Sequence, residues 1–379
     1  MEPLFISVPN AYKGLESELV SVSDTAQKAG FTALNINLKL TDEADIVFRC
    51  GQINYSISAL SQAEYKLTKL TSGEVWTLLF TSHIDTLTTP EGARISADWA
   101  GEGFSSSTSE TLLGRIIGAL ALEYLVEDAF LLARALGSVS CETWPNHIDH
   151  FPKLATTIKS PVVTRKASKC SRLYPVVDSI ELIEELVKLD LDIVQLRIKD
   201  KQPVEVEADI QRAVELGKAH NVDVVINDYW QTALDSDAAC IHLGQEDLQS
   251  LSSSALLESN IGLGISTHGY YEILNALQYK PSYLALGHIF PTPTKDMPSS
   301  PQGLTKLGFY QSVIDSIERA HRISLPTVAI GGIDDQRAPR VIKTGVDSVA
   351  VVRAVTQADD RNKAVQQFQT MFKPEVATC

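Results

Sequence analysis

From Leu173 to Val352 the chain repeats one unit eight times: a short apolar run, a polar tip, and an amphipathic stretch at helical spacing. The apolar runs are Leu173–Val177, Ile193–Arg197, Asp223–Asn227, Cys240–Leu243, Ile261–Ser266, Tyr283–Gly287, Thr327–Ile330 and Ser348–Val352. Helical stretches between them include Ile180–Leu189, Val204–His220, Gly269–Gln278 and Gly308–Arg322. Strands that alternate with helices pair in parallel. Eight such units in roughly 200 residues meet the lower size limit of a (β/α)8 TIM barrel. A doubly wound open sheet is the alternative, but polar tips recurring around the whole set favour a barrel, whose active site forms at the C-terminal strand ends.

The expected fold class is therefore α/β, a TIM barrel preceded by a second α/β domain. A chain of 379 residues accommodates two cores. Periodicity breaks between Phe151 and Arg172, where Pro152 and Pro161 accompany Lys159, Arg165, Lys166 and Lys169. The expected division is an N-terminal domain over 1–155, a linker over 156–171 and the barrel over 172–379. In the first part, Asp45–Gly51 and Trp76–Thr81 read as strands, and Leu112–Tyr124 with Glu127–Leu136 as a helix pair.

The net charge of −14, from 33 Lys+Arg against 47 Asp+Glu, disfavours nucleic acid or an anionic membrane as partner. Five scattered cysteines with no Cys-x-x-Cys pair suggest neither a disulfide framework nor a zinc site. The start, Met1-Glu-Pro-Leu-Phe-Ile-Ser7, has no signal-peptide character, and no apolar stretch is long enough to span a bilayer. The expectation is a soluble cytoplasmic protein acting on small molecules, with room for a homo-oligomer.

In so acidic a chain, cations at strand tips point to a local anion. Arg197 and Lys199 stand at alternate positions and, in a strand, share a face. Asp228 and Asp247 end the third and fourth units, which neighbour each other in a barrel. Magnesium takes one or two carboxylates plus phosphate oxygens and water, so this pair suits a magnesium–pyrophosphate complex. The plain alternative is that each aspartate caps a helix. Gly331-Gly332 follows the seventh strand, where barrels often bind phosphate. Thr292, Thr294 and Lys295 offer hydroxyl and ammonium donors in a proline-ordered loop. Gln195, Asn227 and Ser266 can address a heteroaromatic edge. His242, inside a strand, reads as a satisfied structural histidine, and Cys240 as core. No general-base or nucleophile–base pair stands out; departure of pyrophosphate needs neither, since positioning and charge stabilisation can supply the rate.

Leu173-Tyr-Pro-Val-Val-Asp178, Gln195-Leu-Arg-Ile-Lys-Asp200, Ile226-Asn-Asp228, His242-Leu-Gly-Gln-Glu-Asp247, Gly264-Ile-Ser-Thr-His268, Phe290-Pro-Thr-Pro-Thr-Lys295 and Ala329-Ile-Gly-Gly-Ile333 together resemble thiamin phosphate synthase, from about Leu173 to Thr356. The resemblance implies a transferase of thiamin biosynthesis that joins hydroxymethylpyrimidine diphosphate to thiazole phosphate and releases pyrophosphate by a dissociative, Mg2+-dependent substitution. It implies that Arg197, Lys199 and Lys295 hold the diphosphate and that Asp228 and Asp247 ligate Mg2+. Gln195, Asn227 and Ser266 would address the pyrimidine. Thr292, Thr294, Gly332, Val352 and Arg353 would surround the thiazole phosphate. Two positions depart from the family: Ile198 stands where Glu is usual, and Arg353 where many members have a small serine, a change that either strengthens the phosphate site or crowds it. A thiazole tautomerase-like enzyme and a non-catalytic sensor or scaffold are the competing readings; intact Arg197, Lys199, Asp228 and Asp247 argue against the first.

The N-terminal part faintly resembles a truncated hydroxymethylpyrimidine phosphate kinase of the ribokinase-like class, through Asp45–Gly51 and the turn Gly101–Ser107. Phe104 occupies the position of that class's reactive cysteine, which implies a degenerate remnant without kinase activity.

Overall fold

The computed structural model describes residues 3–100, 104, 106–154, 172–249, 255–292 and 300–372. The chain forms two compact units, Met1–Thr157 with Gly269–Asn275, and Ile158–His268 with Ala276–Cys379. The expected linker, 156–171, lies outside the described residues.

Among the described residues the first unit carries a nine-stranded sheet. Its strands are β1 (Leu4–Pro9), β2 (Ile36–Thr41), β3 (Ile46–Cys50), β4 (Ile53–Ala59), β5 (Glu64–Lys69), β6 (Val75–Leu79), β7 (Ile84–Thr88), β8 (Arg94–Asp98) and β9 (Lys153–Leu154). Only β1 and β2 pair in parallel; β3 to β9 form an antiparallel meander, with β3 beside β1. Burial alternates along β3 and β6, as expected for strands with one covered face. Helices α1 (Leu15–Lys28), α2 (Ser109–Ala121) and α3 (Val126–Ser138) bury Leu19, Leu112, Ile116 and Leu132 completely. Thr108 caps α2 by accepting from Thr111 N. Arg134 and Asp85, 4% and 2% exposed, form an ion pair of 2.6 Å, and the guanidinium lies 3.8 Å from the Trp99 ring centroid.

The strands read at 45–51 and 76–81 and the helix pair are present. The kinase-like resemblance gains no support: a consecutive antiparallel meander is not the alternating strand–helix layout of a parallel α/β fold. Phe104 lies in irregular backbone, and residues 101–103 and 105 of the turn invoked for that resemblance are outside the described residues.

In the second unit, β10 (Arg172–Val177), β11 (Ile193–Leu196), β12 (Asp223–Asn227), β13 (Cys240–Leu243), β14 (Gly262–Thr267), β15 (Tyr283–Gly287), β16 (Thr327–Ile330) and β17 (Ser348–Val351) close a parallel barrel in chain order. β17 pairs with β10, Tyr174 opposite Ala350. The strands are apolar because both faces are covered; β11, β13 and β15 are buried throughout. Tyr174, Val176, Ile193, Val225, Cys240, Tyr283, Ala285, Val328 and Ala350 form a buried core cluster, so Cys240 is core as read. The described helices that follow β10 in the chain run from α4 (Ile180–Leu186), α5 (Pro203–His220) and α6 (Trp230–Asp235) through α7 (Gln245–Gln249), α8 (Ala255–Glu258), α9 (Tyr270–Ala276, nearly all of it in the first unit), α10 (Gly303–His321), α11 (Ala338–Ile342) and α12 (Arg353–Thr356) to α13 (Arg361–Met371). Pro203 opens α5, where a missing N–H costs nothing, and Asn221 closes it in the left-handed region. Among the described residues no helix is long and apolar enough to cross a membrane.

Candidate active site

The tip after β11 carries the first cations. The strand ends at Leu196, so Arg197 and Lys199 lie in the following loop, and the argument from strand alternation does not apply to them. Arg197 N donates to Val177 O at 2.7 Å, which ties the start of this loop to the end of β10. Burial pushes the Arg197 guanidinium below its usual pKa, and Asp228 pulls the other way.

Asp228 follows the last residue of β12 with φ +66°, in a left-handed conformation that aspartate and asparagine tolerate best among residues with a Cβ. Its N–H donates to His242 O on the next strand at 3.1 Å. Burial raises its carboxyl pKa, Asp247 raises it further, and Arg197, the Asn227 side chain and Lys199 oppose the rise. Two carboxylates and two cations from three successive tips therefore share one field. The capping alternative fails for Asp228: Tyr229 is the N-cap of α6 and makes no side-chain cap bond. Asp247 does cap locally, its Oδ2 accepting from Gly244 N at 3.1 Å, but it lies inside α7 rather than ahead of it.

The groups read for a heteroaromatic ring cluster at the same end. Gln195 and Asn227 are buried on β11 and β12. Gln195 Nε2 donates to Tyr174 Oη at 2.9 Å. Ser266 lies one residue from the end of β14, where Gln245 Nε2 donates to its carbonyl at 2.6 Å and its Oγ is 2.9 Å from His242 Nε2. His242 is thus a bonded interior histidine, as read, though its partner is a site residue.

At the seventh tip Gly331 and Gly332 adopt φ of +105° and +64°. A Cβ at Gly332 would lie 2.6 Å from Pro291 O, so glycine is required both by conformation and by contact with the sixth tip. Phe290 N donates to Gly331 O at 3.0 Å, and Arg337 donates to Gly332 O at 2.6 Å while lying over the Phe290 ring. Thr292 is half-buried in this region; Thr294 and Lys295 lie outside the described residues. Val352 packs against the barrel core just before α12, and Arg353, the first residue of that helix, is exposed. A cavity of about 380 Å³ lined by Asp334, Asp335, Asp359, Asp360 and Lys363 has the wrong charge for a phosphate.

Sequence reasoning missed Tyr174, Tyr283, Gln245 and Gln302 as supports. Gln302 donates from Nε2 to His268 O and Gly287 O, holding the return of the sixth loop against the barrel. Tyr174 and Gln245 lie within the quoted motifs Leu173–Asp178 and His242–Asp247, while Tyr283 and Gln302 lie outside every quoted motif.

Among the described residues no three His, Cys, Asp or Glu side chains gather to hold a metal. The oxygen-only pair Asp228 and Asp247 nevertheless fits magnesium, which takes few protein carboxylates, and a divalent cation would relieve the repulsion between them.

The closed parallel barrel and this grouping define a (β/α)8-barrel protein with carboxylates, cations and amide groups gathered at its C-terminal strand ends. A family model described as thiamine monophosphate synthase matches residues 169–355. Thiamine-phosphate synthases of Salmonella typhimurium and Escherichia coli O1:K1 are each 51% identical over 196 residues, 52% of this chain and 89% of theirs. A solved thiamine phosphate pyrophosphorylase from Pyrococcus furiosus is 27% identical, covering 54% of this chain and 96% of its own, with a TM-score of 0.45. The chain belongs to the thiamine-phosphate synthase family.

Proposed function

We propose that this chain joins hydroxymethylpyrimidine diphosphate to thiazole phosphate and releases pyrophosphate. It is a transferase, and the reaction is the one its family is named for. The observation that carries the site assignment is the single field shared by Asp228, Asp247, Arg197 and Lys199 beside the buried amides of Gln195 and Asn227.

In this reading Arg197, Lys199 and Lys295 bind the diphosphate and stabilise the charge that grows on it as the carbon–oxygen bond breaks. Asp228 and Asp247 would hold Mg2+, which supplies further neutralisation of the leaving pyrophosphate. Gln195, Asn227 and Ser266 orient the pyrimidine so that its methylene faces the second substrate. Thr292, Thr294, Gly332, Val352 and Arg353 seat the thiazole phosphate; the pyrophosphate departs first with the bonding pair, leaving a pyrimidine methylene cation that the thiazole nitrogen captures with its lone pair. Alignment of the two reactants, rather than proton transfer by a side chain, supplies the rate. We also propose that residues 172–379 carry the whole of this reaction, with 1–155 a separate domain.

The test is incubation of the purified chain with both substrates, with and without magnesium, and fluorescent detection of the product as a thiochrome. Product that requires both substrates and the metal supports the reading. Its absence from a folded preparation removes it.

A further inference from the structure

Five side chains on five strands form one continuous hydrogen-bonded chain through the barrel interior. Gln195 Nε2 donates to Tyr174 Oη at 2.9 Å, and Tyr174 Oη lies 2.7 Å from Tyr283 Oη. Tyr283 Oη is 2.9 Å from His242 Nδ1, and His242 Nε2 is 2.9 Å from Ser266 Oγ. Tyr174 and Tyr283 are 1% and 0% exposed, and Gln195 and His242 are nearly as deep, so bulk water cannot substitute for a lost link. Gly264, paired with Tyr283 across β14 and β15, leaves the space the tyrosine ring fills; any Cβ there would overlap the ring.

Such a chain has a direction. A tyrosine hydroxyl has one proton to give, and a neutral imidazole has one donor and one acceptor nitrogen. With Gln195 donating through its amide nitrogen, the arrangement in which each hydroxyl takes one proton and gives one along the chain has Tyr174 donating to Tyr283 and Tyr283 to His242 Nδ1. His242 then carries its proton on Nε2 and gives it to Ser266 Oγ. The Ser266 proton is left for a ligand, and the Gln195 Oε1 end presents an acceptor.

We infer that Tyr174, Tyr283 and His242 are positioning residues that lock the polarity of Gln195 and Ser266 together, so that the site accepts from a ligand N–H at one end and donates to a ligand acceptor at the other. That pattern matches an amino group beside a ring nitrogen and mismatches the oxo counterpart, in which carbonyl and ring N–H invert both roles. The inference rests on the proposed pyrimidine substrate for its ligand, but not for the direction of the chain.

The experiment compares the full chain with Tyr283→Phe, which removes one hydroxyl and keeps the ring. Kinetics are measured with the aminopyrimidine diphosphate and with its 4-oxo counterpart. Losing both hydrogen bonds of the Tyr283 hydroxyl should lower kcat/KM for the amino substrate by about tenfold to a hundredfold, with KM for thiazole phosphate unchanged. The amino-to-oxo preference should narrow by about tenfold or more, because the mismatch is enforced only while the chain is intact. A uniform loss that leaves this preference unchanged would overturn the inference, since a purely structural tyrosine would behave that way. A second measurement stands apart from turnover: 15N spectra of histidine-labelled protein, with the His242 signals assigned by their loss in His242→Gln. The Nε2–H tautomer is expected in the wild-type chain and a mixture in Tyr283→Phe. The Nδ1–H tautomer in the wild-type chain would refute the assigned direction even if no synthase activity were found, whereas inactivity with the expected tautomer would remove the functional reading alone.

Discussion

Replacing Asp228 by asparagine isolates its charge from everything else it does. The residue sits at φ +66°, where a residue with a Cβ costs about 1–2 kcal/mol unless it is Asn or Asp, so Asp228→Ala would mix backbone strain with lost chemistry. Asparagine keeps the conformation and the volume. In the folded chain burial and Asp247 both disfavour the Asp228 charge, so its removal should leave thermal stability unchanged or slightly raised. Turnover should move the other way. Losing one charge-assisted ligand contact costs about 1.5–3 kcal/mol, which is roughly a tenfold to hundredfold loss. The assay is a magnesium titration of initial rate beside a melting curve. The expected result is a rate deficit largest at limiting magnesium, with no fall in melting temperature. Near-wild-type turnover at limiting metal would refute the assignment of Asp228, and a collapsed melting temperature would refute the claim that its charge opposes folding.

Arg197→Ala should weaken diphosphate binding by roughly tenfold to a hundredfold, read as KM for the pyrimidine substrate or as pyrophosphate inhibition. Gly332→Ala should impair use of thiazole phosphate more than of the diphosphate, because its Cβ would press on Pro291 O; equal KM values for both substrates would contradict that. In the first unit, Arg134→Met strands a buried Asp85 and should cost about 3–5 kcal/mol in denaturant unfolding of that unit. Glu127 accepts from Trp76 Nε1 at 3.0 Å, and burial raises its pKa. Its folded form therefore holds a proton the unfolded form has lost, so stability falls as pH rises from the ordinary glutamate range through the raised value. Glu127→Gln should flatten that slope, seen as melting temperature against pH. The full chain should not phosphorylate hydroxymethylpyrimidine with ATP, and ATP-dependent phosphorylation lost on deleting residues 1–155 would overturn that expectation.

The barrel was legible because parallel strands covered on both faces are nearly unbroken apolar runs. Val224-Val225-Ile226 and Leu284-Ala285-Leu286 can hardly be anything else between two amphipathic helices. Helix ends shifted by a few residues, as at α4, which stops at Leu186 rather than Leu189. The first unit hid most of its strands. Glu64-Tyr-Lys-Leu-Thr-Lys69 buries only Tyr65 and Leu67, so half its residues are the polar side of a one-faced sheet and look like a loop. At the candidate site, Arg197, Asp228 and Asp247 stood out in the sequence because charged groups of both signs follow successive apolar runs. Tyr174 and Tyr283 did not: 109 residues apart and inside apolar strands, they read as core until the closed barrel brings their hydroxyls together.

The central claim is that one site on this chain couples departure of pyrophosphate to bond formation between two substrates. The most direct measurement follows both phosphorus-containing products by 31P NMR as the purified chain consumes hydroxymethylpyrimidine diphosphate with thiazole phosphate and magnesium. The expected result is pyrophosphate appearing in step with thiamin phosphate, one for one. Pyrophosphate released without coupled product, or neither species formed by folded protein, would contradict it.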